Sequence, residues 1–435
     1  MEDVALSVLG LAKENGVMAE IYTEENDKSE ALANDGSVEK ISSSVSFGAC
    51  VRVFREGKIG SSFFTVKKSD SAREAFYKAL EAAIIEGYEN YQLPGKTELP
   101  KTNCCDPAHD KLDLDKLSEA ALMLEAACLS EKKVKFARDA TINAEKRKVS
   151  LYNTAGFSGS HESTYYRAFV SAIASDSGSQ ETADVFQGTG LFSAIDPEAL
   201  GREASKRASL LLGGKPVKSG TYRLILPPHT ASDFVGLLSK LFLADYALKG
   251  KSLLSACSQG DNVASGCVTI IDDPLLEYCA GSRPFDDEGT PSAALTLVDK
   301  GKFNGFIYDI MSAQRAKKSS SGGSLRPDFK SLPECGPSNF YIMPKSGSCS
   351  GETGIEVNSL MGLHMTDTIS GNFSLSANGW TIERGERKMP VREILITGNI
   401  KELLMNIEAV CDDLKFFGKF GSPTLIIGGI KVAGS

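Results

Sequence analysis

The chain has 435 residues, 42% of them hydrophobic and 24% charged, with a formal net charge of −8. That length exceeds what one compact core organises, so two or three domains are expected in a chain of ordinary globular composition. The acidic balance argues against a nucleic-acid partner, which needs a basic face, and no segment reaches the ~20 apolar residues of a membrane span.

The start, Met1-Glu-Asp-Val, lacks a basic, apolar leader, so a cytoplasmic protein without a membrane partner is expected. Residues 3–15 set Val4, Leu6, Val8, Leu9 and Leu11 at near-helical spacing before Gly16, which predicts a first helix. Ala19 to Thr23, Gly36 to Ser46, Gly48 to Arg55 and Lys58 to Val66 alternate as strands, and Ser69 or Asp70 is placed to cap a helix reaching Ala83. The same order returns about a hundred residues later. Leu114 to Leu129 reads as a helix, Lys133 to Asn143 and Lys146 to Asn153 as strands, and Gly156 to Asp176 with Ser179 to Thr189 as a hairpin. Asp196-Pro-Glu then opens a helix that Gly213-Gly214 stops. The expectation is an α+β protein whose N-terminal region holds two similar hairpin-plus-helix units, at residues 1–92 and 108–216, joined by a Pro-rich linker.

From residue 217 to 435 the texture changes to an expected antiparallel, barrel-like β domain with few helices. Thr221 to Leu226 leads into a helix from His229 to Leu248. Strand-sized segments separated by glycines follow at Val268–Asp272, Leu295–Asp299, Gly305–Asp309, Phe340–Met343, Val391–Thr397 and Thr424–Ile430. The Ser-, Gly- and Lys-rich stretch from Ala313 to Phe329 lacks periodicity and is expected to be a mobile loop. Ten cysteines without a Cys-x-x-Cys pair read as reduced, buried thiols, and Asp286-Asp-Glu-Gly289 as a structural turn, without the spacing of a calcium loop.

The blocks Arg283-Pro-Phe-Asp-Asp-Glu-Gly-Thr-Pro291, Gly301-Lys-Phe-Asn-Gly-Phe-Ile-Tyr-Asp309, Gly371-Asn-Phe-Ser-Leu-Ser-Ala-Asn-Gly-Trp380 and Gly421-Ser-Pro-Thr-Leu-Ile-Ile-Gly-Gly-Ile-Lys-Val-Ala-Gly434 carry a family signature. Through them the sequence resembles the TldD/PmbA family of metalloprotease-like proteins. In catalytic, TldD-like members a His-Glu-x-x-x-His motif opens the helix after the strand corresponding to Thr221–Leu226, two histidines holding zinc beside a glutamate base. Here that place reads Pro228-His229-Thr230-Ala-Ser-Asp233-Phe234. His229, Thr230 and Asp233 mark a degenerate metal position with neither a third ligand nor a base, so no metal site and no catalytic residue is expected in this chain. His229 and Thr230 are instead expected to cap the helix, with Asp233 favoured near its positive end.

The resemblance implies a PmbA/TldE-type subunit with no cofactor of its own. Its implied partners are a TldD-like subunit carrying zinc and an extended peptide substrate, with a homodimer as a further possibility. His364, Asn372, Ser374, Ser376, Asn378 and Trp380 become candidates for the peptide channel or the subunit interface. Two other readings stay open: an autonomous homodimeric metallopeptidase with an unrecognised metal site, and a non-enzymatic modulator of DNA gyrase.

Overall fold

The computed structural model describes residues 2–347, 349 and 351–434. Its N-terminal part is one six-stranded antiparallel sheet built from two units of the same order, helix, three strands, helix. The first comprises α1 (Glu2–Glu14), β1 (Met18–Asn34), β2 (Ser37–Arg55), β3 (Lys58–Phe64) and α2 (Ser69–Glu81). The second comprises α3 (Leu114–Cys128), β4 (Val134–Asn153), β5 (Ser158–Asp176), β6 (Ser179–Thr189) and α4 (Pro197–Leu211). The two halves join through antiparallel β1 and β4, in the order β3-β2-β1-β4-β5-β6.

Local chemistry accounts for most boundaries. Asp113 caps α3 by accepting from Lys116 N, and Asp196 caps α4 by accepting from Ala199 N, with Pro197 at its tolerated first position. α2 begins after Lys68 with no side-chain cap, so the expected caps at Ser69 and Asp70 are not used. α3 and α4 touch at Gly201, where a Cβ would lie 2.4 Å from Leu124 O. Strands expected as pairs of short pieces are single long ones. Gly48 does not break β2: a Cβ there would lie 2.3 Å from the Phe329 ring, so the glycine admits a close neighbour instead of making a turn.

The C-terminal part opens with β7 (Gly220–Leu226) and α5 (Pro228–Ser239). The expected single helix from His229 to Leu248 breaks after α5 into a 3-10 turn at Lys240–Phe242 and a short helix at Ala244–Leu248, because Leu243 turns extended and bridges Ile307. Short strands follow: β8 (Ile270–Asp272), β9 (Leu295–Asp299), β10 (Lys302–Phe303), β11 (Ser324–Leu325), β12 (Glu334–Cys335) and β13 (Phe340–Ile342). Gly305–Asp309, expected as a strand, contributes only that one bridge.

The long strands then return as β14 (Gly354–Met361), β15 (Asn372–Glu383) and β16 (Glu386–Asn399), ahead of β17 (Ile407–Val410), β18 (Lys415–Phe417), β19 (Phe420–Ser422) and β20 (Leu425–Ala433). Strands β16-β15-β14-β7-β20 close into a five-stranded barrel through the pairing of β20 with β16. One barrel pairing, β7 with β14, is parallel, as the long crossover through α5 and the small sheet permits. Leu224, Val357, Leu375, Ile396 and Ile427 meet Phe234 and Leu238 of α5 in a single apolar core. Among the described residues no helix is long and apolar enough to cross a membrane.

The seam between the two parts sets a buried charged network among apolar contacts such as Tyr22, Leu151 and Phe157 against Phe285. Glu20 Oε1 accepts from Arg52 Nε at 3.0 Å and from Arg326 Nη2 at 2.7 Å, while Glu20 Oε2 accepts from Arg52 Nη2 at 2.8 Å. Glu288 Oε1 accepts from Tyr91 OH at 2.6 Å and Glu288 Oε2 from Ile310 N at 3.0 Å. All four charged side chains are buried. The Asp286–Gly289 turn is thereby an interior element, its Asp286 and Asp287 carboxylates receiving the backbone N–H groups of Ser324 and Arg326. The same contacts overturn the expected mobile loop from Ala313 to Phe329: Gly322, Gly323, Ser324 and Arg326 are buried, and only Lys317 to Ser319 and Pro327 to Asp328 are exposed in that stretch beyond its helical end. Removing one member of such a network strands a buried charge, so Arg326→Met is expected to lower the first urea-unfolding transition by about 3–5 kcal/mol. A loss under about 1 kcal/mol would show that the seam does not depend on it.

Candidate functional site

β7 delivers the chain through Pro227 and Pro228 into α5 beside a bulge in β14 between Val357 and Ser359. The bulge interrupts the ladder, and α5 takes up the carbonyls concerned. Thr230 Oγ1 donates to Val357 O at 2.8 Å and lies 3.1 Å from Asn358 O, while His229 Nε2 donates to Asn358 O at 3.0 Å. His229 and Thr230 therefore hold a strand and do not cap the helix, whose N-cap residue, Pro227, offers no side-chain bond. Burial, with the Arg207 guanidinium adding to it, lowers His229 to about 3, so the imidazole is neutral with its proton on Nε2.

Phe234 occupies the core at 1% exposure, and Asp233 is exposed. The carboxylates that share a cavity of about 330 Å³ with His229 are each engaged. Glu203 accepts from Arg207 Nε at 2.6 Å, Glu356 from Arg387 Nε at 3.0 Å, and Asp413 from Thr424 N at 2.8 Å. Among the described residues no group of three or more His, Cys, Asp and Glu side chains could hold a metal ion. Cys335 donates to Ile307 O inside the core. Cys349, which lines the cavity, is in a disulfide with Cys411, so these two thiols are not the free ones expected.

The cavity opens into a trough. A second space of about 650 Å³ shares Glu203, Arg207, Lys415 and Phe417 with it and adds Phe186 of β6 and Leu200 of α4. A third of about 450 Å³ shares Phe186, Phe417 and Gly418 and reaches Arg147 and Tyr165 on the N-terminal sheet. The β18–β19 hairpin thus floors a path lined by aromatic rings and charges of both signs, running from His229 to the first part of the chain.

The other candidates fall into two groups. Asn372, Ser374 and Ser376 are exposed on the outer barrel face, opposite Asn399, Thr397 and Leu395 of β16, while Phe373, Leu375 and Ala377 fill the core. Met361 faces Ser376 from the other side, and Met361 at 53% exposure, Leu395 at 38% and Met365 at 70% give this small-residue face an apolar rim. His364 is exposed in the adjoining 3-10 turn at Leu363–Met365. Asn378 and Trp380 point elsewhere, because the bulge after Ala377 shifts the alternation. Asn378 Oδ1 accepts from Asn358 Nδ2 at 3.1 Å and from Ser359 Oγ at 2.9 Å, which ties it to the residue that holds His229. Trp380 is buried, donates from Nε1 to Leu210 O of α4 at 3.1 Å, and carries the Arg387 guanidinium 4.1 Å from its ring centre. It is a joint between the two parts, away from the open face. Sequence reasoning missed Asn358, Arg207 and Arg387; a polar Asn-Ser pair inside an apolar strand was the only trace of the bulge.

This arrangement, a paired α+β sheet docked on a closed barrel with a helix opening beside the cleft, is the architecture of a class of metallopeptidase-like proteins. The sequence matches the PmbA/TldA metallopeptidase C-terminal domain over residues 219–434, the central domain over 107–212 and domain 1 over 19–85. The chain belongs to the PmbA/TldD family. It is 28% identical to a protein of Methanothermobacter thermautotrophicus named a metalloprotease, covering 93% of this chain and 90% of that one. Among solved structures it superposes on TldE from Thermococcus kodakarensis with a TM-score of 0.90, at 20% identity over 99% of this chain and all of that one. It also superposes on a Thermotoga maritima protein named as a candidate modulator of a DNA gyrase, with a TM-score of 0.92 at 23% identity over 99% of this chain and all of that one.

The depressed His229 has a consequence for stability. Below the usual histidine value of about 6.5 the unfolded chain takes a proton that the folded chain refuses until about pH 3, so stability falls as pH drops through that window. Between about pH 7 and about pH 4.5 the natural protein is expected to lose about 2 kcal/mol more than His229→Gln in urea titrations. Equal losses would mean the ring is not held neutral.

Proposed function

We propose that this chain is the PmbA/TldE-type, non-catalytic subunit of a peptidase. It binds no zinc itself and pairs with a TldD-like subunit that carries the ion, and the pair cleaves unfolded or extended peptides. The observation that carries this reading is the start of α5, where His229 and Thr230 are committed to strand carbonyls and Phe234 to the core. One ion on the partner is enough for hydrolysis.

The trough supports the peptide part of the reading. Its walls offer stacking surfaces and both signs of charge instead of one selective pocket, which suits extended chains of varied sequence. The outer face around Ser374 and Ser376 supports the pairing, since small side chains inside an apolar rim allow close approach of another surface.

The test is sizing and peptide hydrolysis on a mixture with the zinc-bearing sister. The mixture is expected to elute as a complex and to degrade an unfolded protein that this chain alone leaves intact. Ser376→Arg is expected to weaken the complex about a hundredfold, because a long cation would be buried unpaired in a packed interface. A complex and an activity unchanged by Ser376→Arg would remove this face from the assembly, and hydrolysis by this chain alone would overturn the subunit reading.

A further inference from the structure

β2 is paired on both sides only over its second half. Its contacts with β3 run from Ala49 opposite Phe64 to Arg55 opposite Lys58, and the Phe329 ring closes over Gly48 at the point where β3 ends. From Ser37 to Phe47 one edge pairs with β1, and among the described residues no strand takes the other. Glu39 to Ser46 are exposed throughout, including Ile41 at 47% and Val45 at 80%. A long open edge bearing exposed branched apolar side chains recruits another strand, and natural folds cover or charge such edges.

We propose that this edge pairs with the same edge of a second copy of the chain, antiparallel about a two-fold axis through Ser43, making one continuous sheet from the two N-terminal sheets. The sequence around Ser43 is self-complementary in that register, which alone sets Ile41 against Val45. Ser42 faces Ser44, Ile41 faces Val45, Lys40 faces Ser46 and Glu39 faces Phe47. No like charges are opposed, and two Ile–Val pairs form, one on each side of the axis, the cross-strand combination that stabilises a sheet. Moving the axis by half a residue sets Ile41 and Val45 against serine or lysine, and flips one strand's side chains relative to the other's. The pairing also extends an existing apolar surface. Ile41 lies directly opposite Ala31, which is buried among the residues that pack with α3, so the strip formed by both copies continues the core of the helix-covered face. This inference does not use the barrel face or the zinc-bearing sister.

The experiment is sedimentation of the full chain alone across a concentration series, with a cross-link to fix the register. The natural chain is expected to reach twice its 46.5 kDa mass. Ile41→Lys with Val45→Lys opposes lysines twice and is expected to raise the dimer dissociation constant about tenfold or more. Ile41→Lys with Val45→Glu sets each introduced lysine against an introduced glutamate and is expected to keep the dimer. Under mild oxidation Ser43→Cys is expected to give a disulfide between two copies of the same peptide, found by mass, and Ser42→Cys is expected not to. Circular dichroism and melting of each variant separate a lost dimer from a lost fold, since these side chains are exposed. A chain that stays monomeric at every concentration overturns the proposal. So does a dimer that the double-lysine variant leaves intact, or one that forms only with the sister subunit.

Discussion

Four charges buried at the seam, Glu20, Arg52, Glu288 and Arg326, fix how the N-terminal sheet sits on the C-terminal part. Taking each out of water costs several kcal/mol, and the cost is offset only when every donor finds its acceptor. Glu20 receives three N–H groups from two guanidiniums, and Arg326 also lies 4.6 Å from the centre of the Tyr22 ring. A guanidinium in such a fork tolerates little displacement, so the network restricts the docking geometry more tightly than the apolar contacts beside it. Trp380 makes a second joint on α4, and the trough lies between the bodies that these two joints align.

The same economy of polar groups explains the degenerate position on α5. A helix that opens beside a bulged strand must satisfy the strand's freed carbonyls. In this chain His229 and Thr230 do so, through side chains that only need to donate. A catalytic glutamate in place of Thr230 could not donate to Val357 O when ionised. At Thr230 the strand's need for a donor is incompatible with a carboxylate, and Asn378 extends the contact outward through Asn358.

Much of the architecture was legible because it rests on local rules. Asp113 and Asp196 sit at caps, the helix-strands-helix order repeats, and Phe373, Leu375 and Ala377 alternate with Ser374 and Ser376 as a half-buried strand must. What was not legible depended on partners distant in sequence. Gly48 and the Ala313–Phe329 stretch read as a break and a loop because their neighbours, Phe329 and Glu20, lie hundreds of residues away in the chain. The acidic turn at Asp286 has the composition of a surface element, and only its arginine and tyrosine partners make it an interior one. At the site, the loss of the glutamate and second histidine was plain in the sequence, but the hydrogen bonds that replaced them needed the β14 bulge, and the Cys349–Cys411 bond joins residues 62 apart. Trp380 read as a face residue because a bulge two residues earlier is invisible in the pattern.

The most direct test of the account is the zinc content of the isolated chain, purified free of added metal, then exposed to zinc and desalted before elemental analysis. The account predicts far less than one ion per chain, with no change on replacing His229 by alanine. About one tightly held zinc per chain, lost in His229→Ala, would contradict it.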